Sequence, residues 1–186
     1  PMPFIEDAAV PVGRLPAYMI DATSNSFLSY GGSGIVDTAY TVQNTLPTDP
    51  NAVVNVTDAA ALALTTAADS QAYGLRSSVT TGGLSISGSS AFTIVGDGSN
   101  AGLIVDTSAF SSSAPFLFGA SGTAEAVIFN NTTAATTTTF SNTISANGLT
   151  KGGAGNLVLA PATTANSNRG NVEKLSGPIT INAGTL

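Results

Sequence analysis

The sequence contains no cysteine, no histidine and no tryptophan, and its only cations are Arg14, Arg76, Lys151, Arg169 and Lys174. Lack of cysteine rules out a disulfide framework and thiol chemistry. With histidine also missing, Ser-His-Asp and Cys-His catalysis and the usual zinc sites are excluded. The five cations stand against 11 acids, a net charge of −6. No basic patch awaits a phosphate backbone, so nucleic acid is not an expected partner. No run approaches the ~18 consecutive apolar residues of a membrane helix, and PMPFIEDAAVPVGRLP at the start lacks the basic and apolar regions of a secretory signal. This segment is therefore expected to carry no membrane span. Pro1 is an unusual first residue, and Leu186 follows directly on a strand-like run. Both ends read as processed or cut from something longer.

Charged residues make up 9% of the chain, against about 25% in an average soluble protein, while hydrophobic residues reach 42%. The sequence instead holds 25 Thr, 21 Ser and 20 Gly, so uncharged hydroxyls carry its solubility. Disordered chains combine low hydrophobicity with high net charge. A mean hydropathy of +0.28 points the other way, to a folded domain. The best helical candidate is TDAAALALTTAADSQAYGL, residues 57–75, with Thr57 or Asp58 as a possible N-cap. Its neighbourhood also holds VVNVT and LALT, which alternate in two-residue steps and favour strands.

From Gln71 onward, short strand candidates follow one another between Gly, Ser and Asn turns: QAYGLRSSV, GLSIS, AFTIV, GLIVD, PFLF, EAVIFN, TTTFSNTIS, GNLVLA and PITIN. That density leaves almost no room for helices. A sandwich shows two-residue hairpins and one polar face per strand, whereas a parallel solenoid repeats a coil of about 20 to 30 residues with an aliphatic inward face. Gly83-Leu84 and Gly102-Leu103 lie 19 residues apart, and Leu157 and Ile179 lie 22 apart; each spacing reads as about one coil. Leu, Ile, Val and Phe would stack inward in ladders, with Thr, Ser and Asn outside. NNTTAATTTTF, residues 130–140, is expected to be an outward-facing strand and turn.

Residues 1–50 differ in kind. Prolines at 1, 3, 11 and 16 forbid a helix or a central strand and impose an extended course. Phe4, Ile5, Val10, Val12, Leu15, Tyr18, Met19 and Ile20 are too many apolar groups to leave in water. Two readings stay open: a strap along the chain's own solenoid that caps one end, or an arm that docks on the next copy of an assembly. The expected organisation is thus an N-terminal strap or arm over 1–50 and a solenoid over 51–186.

GLTKGGAGNLVLAPATTANSNRGNVEKLSGPITINAGTL, residues 148–186, resembles the autotransporter-associated β-strand repeat: Gly-Leu-Thr-Lys, a Gly-x-Gly turn, Leu-x-Leu, a variable loop and a Thr-Ile-Asn-x-Gly-Thr-Leu ending. The variable loop lacks the usual Tyr-Thr-Gly-Gly stretch. Residues 72–110 and 116–132 carry a looser likeness, extending back to about Gln71, to the coils that precede such repeats. The resemblance implies a right-handed parallel β-helix in an exported, repetitive bacterial surface protein, with the repeat continuing past Gly-Thr-Leu. From the motif's own residues, Leu149, Leu157, Leu159, Ile179, Ile181 and Leu186 fit the inward ladder. Gly152, Gly153 and Gly155 would allow φ > 0 in a tight corner, and Lys151 would lie on the surface of that corner.

Carboxylates are the remaining candidates for chemistry. Asp97 and Asp106, nine residues apart, are the best placed for the paired acids of a polysaccharide-cleaving β-helix, although an Asp-Gly turn more often uses its side chain to bind backbone. GGSGIVD, residues 31–37, imitates a calcium-binding turn, but its Asp comes one position late and the unit does not repeat. Asn55, Asn130 and Asn131 are formal sequons that read as turn and ladder asparagines. The expectation is a non-enzymatic chain without metal or cofactor, a structural module of an extracellular bacterial fibre, sheath or stalk that stacks end to end on itself or on adjacent repeats. The alternative is an adhesin passenger domain that presents loops such as Pro161–Ser176 to a surface glycan.

Overall fold

A computed structural model describes residues 13–31, 34–133, 136–160 and 174–186. Among them every regular element is a strand. The first three, β1 (Ile20–Asp21), β2 (Ser26–Gly31) and β3 (Gly34–Asp37), form a small antiparallel sheet. β4 (Thr41–Gln43) then begins a β-solenoid in which every later pairing is parallel.

Each coil contributes three strands. They are β5 (Val53–Val56), β6 (Leu62–Thr65) and β7 (Gln71–Ala72); β8 (Gly74–Ser77), β9 (Leu84–Ser87) and β10 (Phe92–Ile94); β11 (Asn100–Val105), β12 (Phe110–Ser112) and β13 (Phe116–Phe118). Next come β14 (Glu125–Asn130), β15 (Thr137–Phe140) and β16 (Ile144–Ala146); β17 (Leu149–Gly152), β18 (Asn156–Leu159) and β19 (Lys174–Leu175); and the single strand β20 (Ile179–Ile181). Stacking gives a seven-stranded sheet from β4 to β20 and two five-stranded sheets, from β6 to β18 and from β7 to β19. The three faces enclose one core.

Alternation within each strand explains why these residues fold this way. In the seven-stranded sheet Val54, Leu75, Leu103 and Ile128 are in register and fully buried, forming an aliphatic ladder. In the β6–β18 sheet the inward column is Leu62, Leu84, Phe110, Thr138 and Leu157, and beside it run Leu64, Ile86, Ser112, Phe140 and Leu159. Small Ser112 leaves room for large neighbours. Phe110, Phe116 and Phe140 meet there with ring centroids 5.1 to 6.0 Å apart, two of the pairs edge-on.

Of the two readings of residues 57–75, the strand is the one that forms, and the helical candidate does not. LALT becomes β6, because its Leu pair is taken up by the core beneath β9, and tertiary burial overrides an Ala-rich propensity. The coil spacings read from sequence were also misassigned. Leu84 and Leu103 lie in different sheets, as do Leu157 and Ile179. True coil partners are Val53 with Gly74, 21 residues on, Leu75 with Leu103, 28 on, and Leu149 with Ile179, 30 on. Loops of unequal length break any fixed period. The Thr tract is likewise only half outward, since β15 turns Thr138 and Phe140 into the core.

Candidate functional site: the outer flank and the terminal rung

The antiparallel strands β1 to β3 lie against the outside of the seven-stranded sheet. Gly74 and Gly102, outward positions of β8 and β11, leave a trough there, and the Phe27 ring fills it. A Cβ on Gly102 would penetrate that ring and come within 2.8 Å of Ala17 Cβ; one on Gly74 would stand 3.2 Å from Phe27 Cε2. Phe27, Ala17, Val53, Tyr73 and Ile104 make a second buried cluster, separate from the solenoid core. Polar ties surround it. The backbone N–H of Phe27 donates to Tyr40 Oη at 2.9 Å. Arg76 pairs with Asp106, Asn25 Nδ2 donates to Asp106 Oδ1 at 2.7 Å, and the Arg14 guanidinium lies 4.4 Å above the Tyr73 ring.

This segment runs along the flank and not over an end. Arg14 is beside Tyr73, just before β8; Ala17 meets Gly102 in β11; Ile20 borders a groove with Val127, Phe129, Thr150, Gly152 and Asn182. Of the arm residues named from sequence, Leu15 donates its N–H to the Leu28 carbonyl at 3.0 Å and Tyr18 is exposed at the groove's edge. Phe4, Ile5, Val10 and Val12 lie outside the described residues.

At the far end of the solenoid, the ladder residues divide. Leu149 and Leu157 are buried, Leu159 is half-buried, and Ile179, Ile181 and Leu186 are 49%, 48% and 47% exposed. Ile179 and Ile181 are nevertheless in register with Leu149 and Lys151. They are the next rung of the inner ladder, exposed because β20 is the outermost strand of its sheet.

Lys151 is a correction. It is fully buried in the column between Ile128 and Ile181, and not on the surface of a corner. Its Nζ donates to three carbonyls, Gly152 at 3.0 Å, Gly153 at 2.6 Å and Ala183 at 2.9 Å, which ties β17 to the turn after β20. Desolvation lowers its pKa below the ordinary lysine value. Nearby glycines also differ from expectation. Of Gly152, Gly153 and Gly155, only Gly153 takes positive φ, at 75°; Gly152 is a strand residue, and Gly155 leaves space, since a Cβ there would lie 2.5 Å from Asn130 Cγ. Asn130 is buried in that corner, with Nδ2 donating to the Asn156 carbonyl and Oδ1 accepting from Thr132.

The structure does not assemble the acid pair. Asp97 Oδ1 accepts the N–H groups of Ser99 and Asn100 at 2.9 and 2.6 Å, while Asp106 is held by Arg76 and Asn25. Among the described residues no group of three acidic side chains could hold a metal ion. Most of the loop Pro161–Ser176 lies outside the described residues, as do Gly32 and Ser33 of GGSGIVD. Sequence reading missed the Gly74–Gly102 trough because two glycines 28 residues apart become neighbours only through the register.

Geometry thus defines the class: a three-faced β-solenoid with a strapped flank and an exposed terminal rung. Comparison with known protein families, curated proteins and solved structures finds no match for this chain. Among its described residues, no helix is long and apolar enough to cross a membrane.

Proposed function

We propose that this chain is a non-enzymatic structural module of an extracellular bacterial fibre, sheath or stalk, and that it works by end-to-end solenoid stacking. The observation that carries the reading is the terminal rung. Ile179 and Ile181 continue the buried ladder of Leu149 and Lys151, yet are half exposed on the outermost strand of the sheet. A further parallel strand would pair the free backbone edge of β20 and bury both side chains. At the opposite edge, β4 sets Thr41 and Gln43 at the head of the inner columns of Val54 and Val56. A β20-to-β4 contact joins two unlike surfaces, so it propagates as an open filament. The resemblance of residues 148–186 to the autotransporter-associated repeat points to export and a bacterial surface. The same rung could be covered by adjacent repeats of the same protein, and stacking chemistry is identical in both cases.

Cryo-electron microscopy of the purified chain tests this. The expected result is rods whose strands repeat axially at about 4.8 Å, becoming longer with concentration, and lost in Ile179→Lys while the circular dichroism of the monomer is retained. Capped single particles at every concentration would overturn the reading, and glycan binding by such particles would favour an adhesin passenger domain.

A further inference from the structure

We propose that residues 1–12 dock in trans: in a stack of copies, the segment that precedes Gly13 in one copy lies in the flank groove of the copy next to it, across the joint. The inference rests on the stacking reading and adds to it a connecting segment and its seat.

The seat is the groove bordered by Ile20 and floored by Val127, Phe129, Thr150, Gly152 and Asn182. It continues the trough that already holds Phe27, because Val127 is in register with Gly102, and Thr150 and Thr180 follow in the same outward column. One stretch of that column is thus covered by the chain's own strap, while the stretch toward β20 is open. Gly152 has no side chain to fill it, and a Cβ there would touch Phe129 Cδ2 at 3.0 Å.

Direction and length select the occupant. From Ile20 beside β14, through Ala17 at β11, to Arg14 near β8, the strap climbs toward the β4 end when followed back toward the N-terminus. The first described residues, Gly13 and Arg14, therefore lie on the β4 side of the flank, away from the groove at β14 to β20. If the seven-stranded sheets of stacked copies are continuous, the neighbour's groove lies on the same flank beyond the joint. Three to five rungs of about 4.8 Å separate them, and 12 extended residues reach about 40 Å. Prolines at 1, 3 and 11 favour an extended course, and Phe4, Ile5, Val10 and Val12 supply apolar groups for half-buried Phe129 and Ile20.

Because the chain has no cysteine, crosslinking has no background. Full-length double variants pairing Thr150→Cys with Phe4→Cys, Ile5→Cys or Val10→Cys would be oxidised under stacking conditions and run on a denaturing, non-reducing gel, with single variants alongside. At least one pair is expected to give a ladder of covalent multimers, while single variants stop at dimers. Asn182→Cys serves as a second anchor should Thr150→Cys misfold. An intrachain crosslink without a ladder, or no crosslink from any pair at either anchor, overturns the proposal. Electron microscopy of the same chains separates the two readings: rods without a ladder sink the arm and leave stacking intact, whereas no rods from the parent chain sink both.

Discussion

At the scale of single residues, the few polar groups inside the solenoid carry the sharpest consequences. Lys151 is buried without a carboxylate partner in its described hydrogen bonds; three carbonyls solvate it instead. Its pKa is lowered on folding, so between the folded and unfolded values the native state binds fewer protons. Stability should therefore rise with pH through that window, with this group adding no slope below the folded value or above the unfolded one. The melting temperature of the parent chain is expected to show this alkaline increment, and Lys151→Met to lack it; equal profiles would sink the argument. Thr138 stands in the inward column between Phe110 and Leu157, and its Oγ1 has no hydrogen-bond partner among the described residues. An unsatisfied buried hydroxyl costs about 1–3 kcal/mol. Thr138→Val, equal in shape, is expected to stabilise by about 1 kcal/mol in denaturant unfolding, and a loss of stability would show that the hydroxyl is satisfied.

Elements differ in how they are held. The coil strands are fixed by parallel ladders on both sides and by a core of aliphatic and phenylalanine side chains. The strap of β1 to β3 instead rests on one ring in a glycine trough, with an ion pair and a few hydrogen bonds at its margin. Releasing it should leave the solenoid folded. Gly102→Val puts a branched side chain where Phe27 sits, and overpacking of this kind costs roughly 1–3 kcal/mol. Trypsin cleavage after Arg14 is expected to accelerate about tenfold or more, with the solenoid's circular dichroism unchanged. Unaltered cleavage would mean that the trough does not hold the strap. Strand identity was readable from sequence at this scale: AFTIV, EAVIFN and PITIN contain β10, β14 and β20. Pairing was not, because a Gly-Leu spacing of 19 residues looks like a period while loops between strands set the true returns anywhere from 13 to 30.

As a whole molecule, the solenoid is nearly one-dimensional, so each coil depends on its neighbours and its two ends are unlike. One edge is β4, the other β20 with its exposed isoleucines. The proposed assembly follows from that polarity: the rods expected in the microscope test stacking, and the covalent ladder tests whether an arm crosses each joint.

Sequence by itself determined the all-β class and the stacked architecture, because alternation of aliphatic and hydroxyl residues in short runs between glycines is a local property. Lack of cysteine and histidine narrowed the chemistry in the same way. Only the tertiary structure decided which rungs stack, that Lys151 lies inside, and that Gly74 and Gly102 form one seat for Phe27. Those facts depend on register, and register is set by loop lengths and by packing between residues distant in the chain.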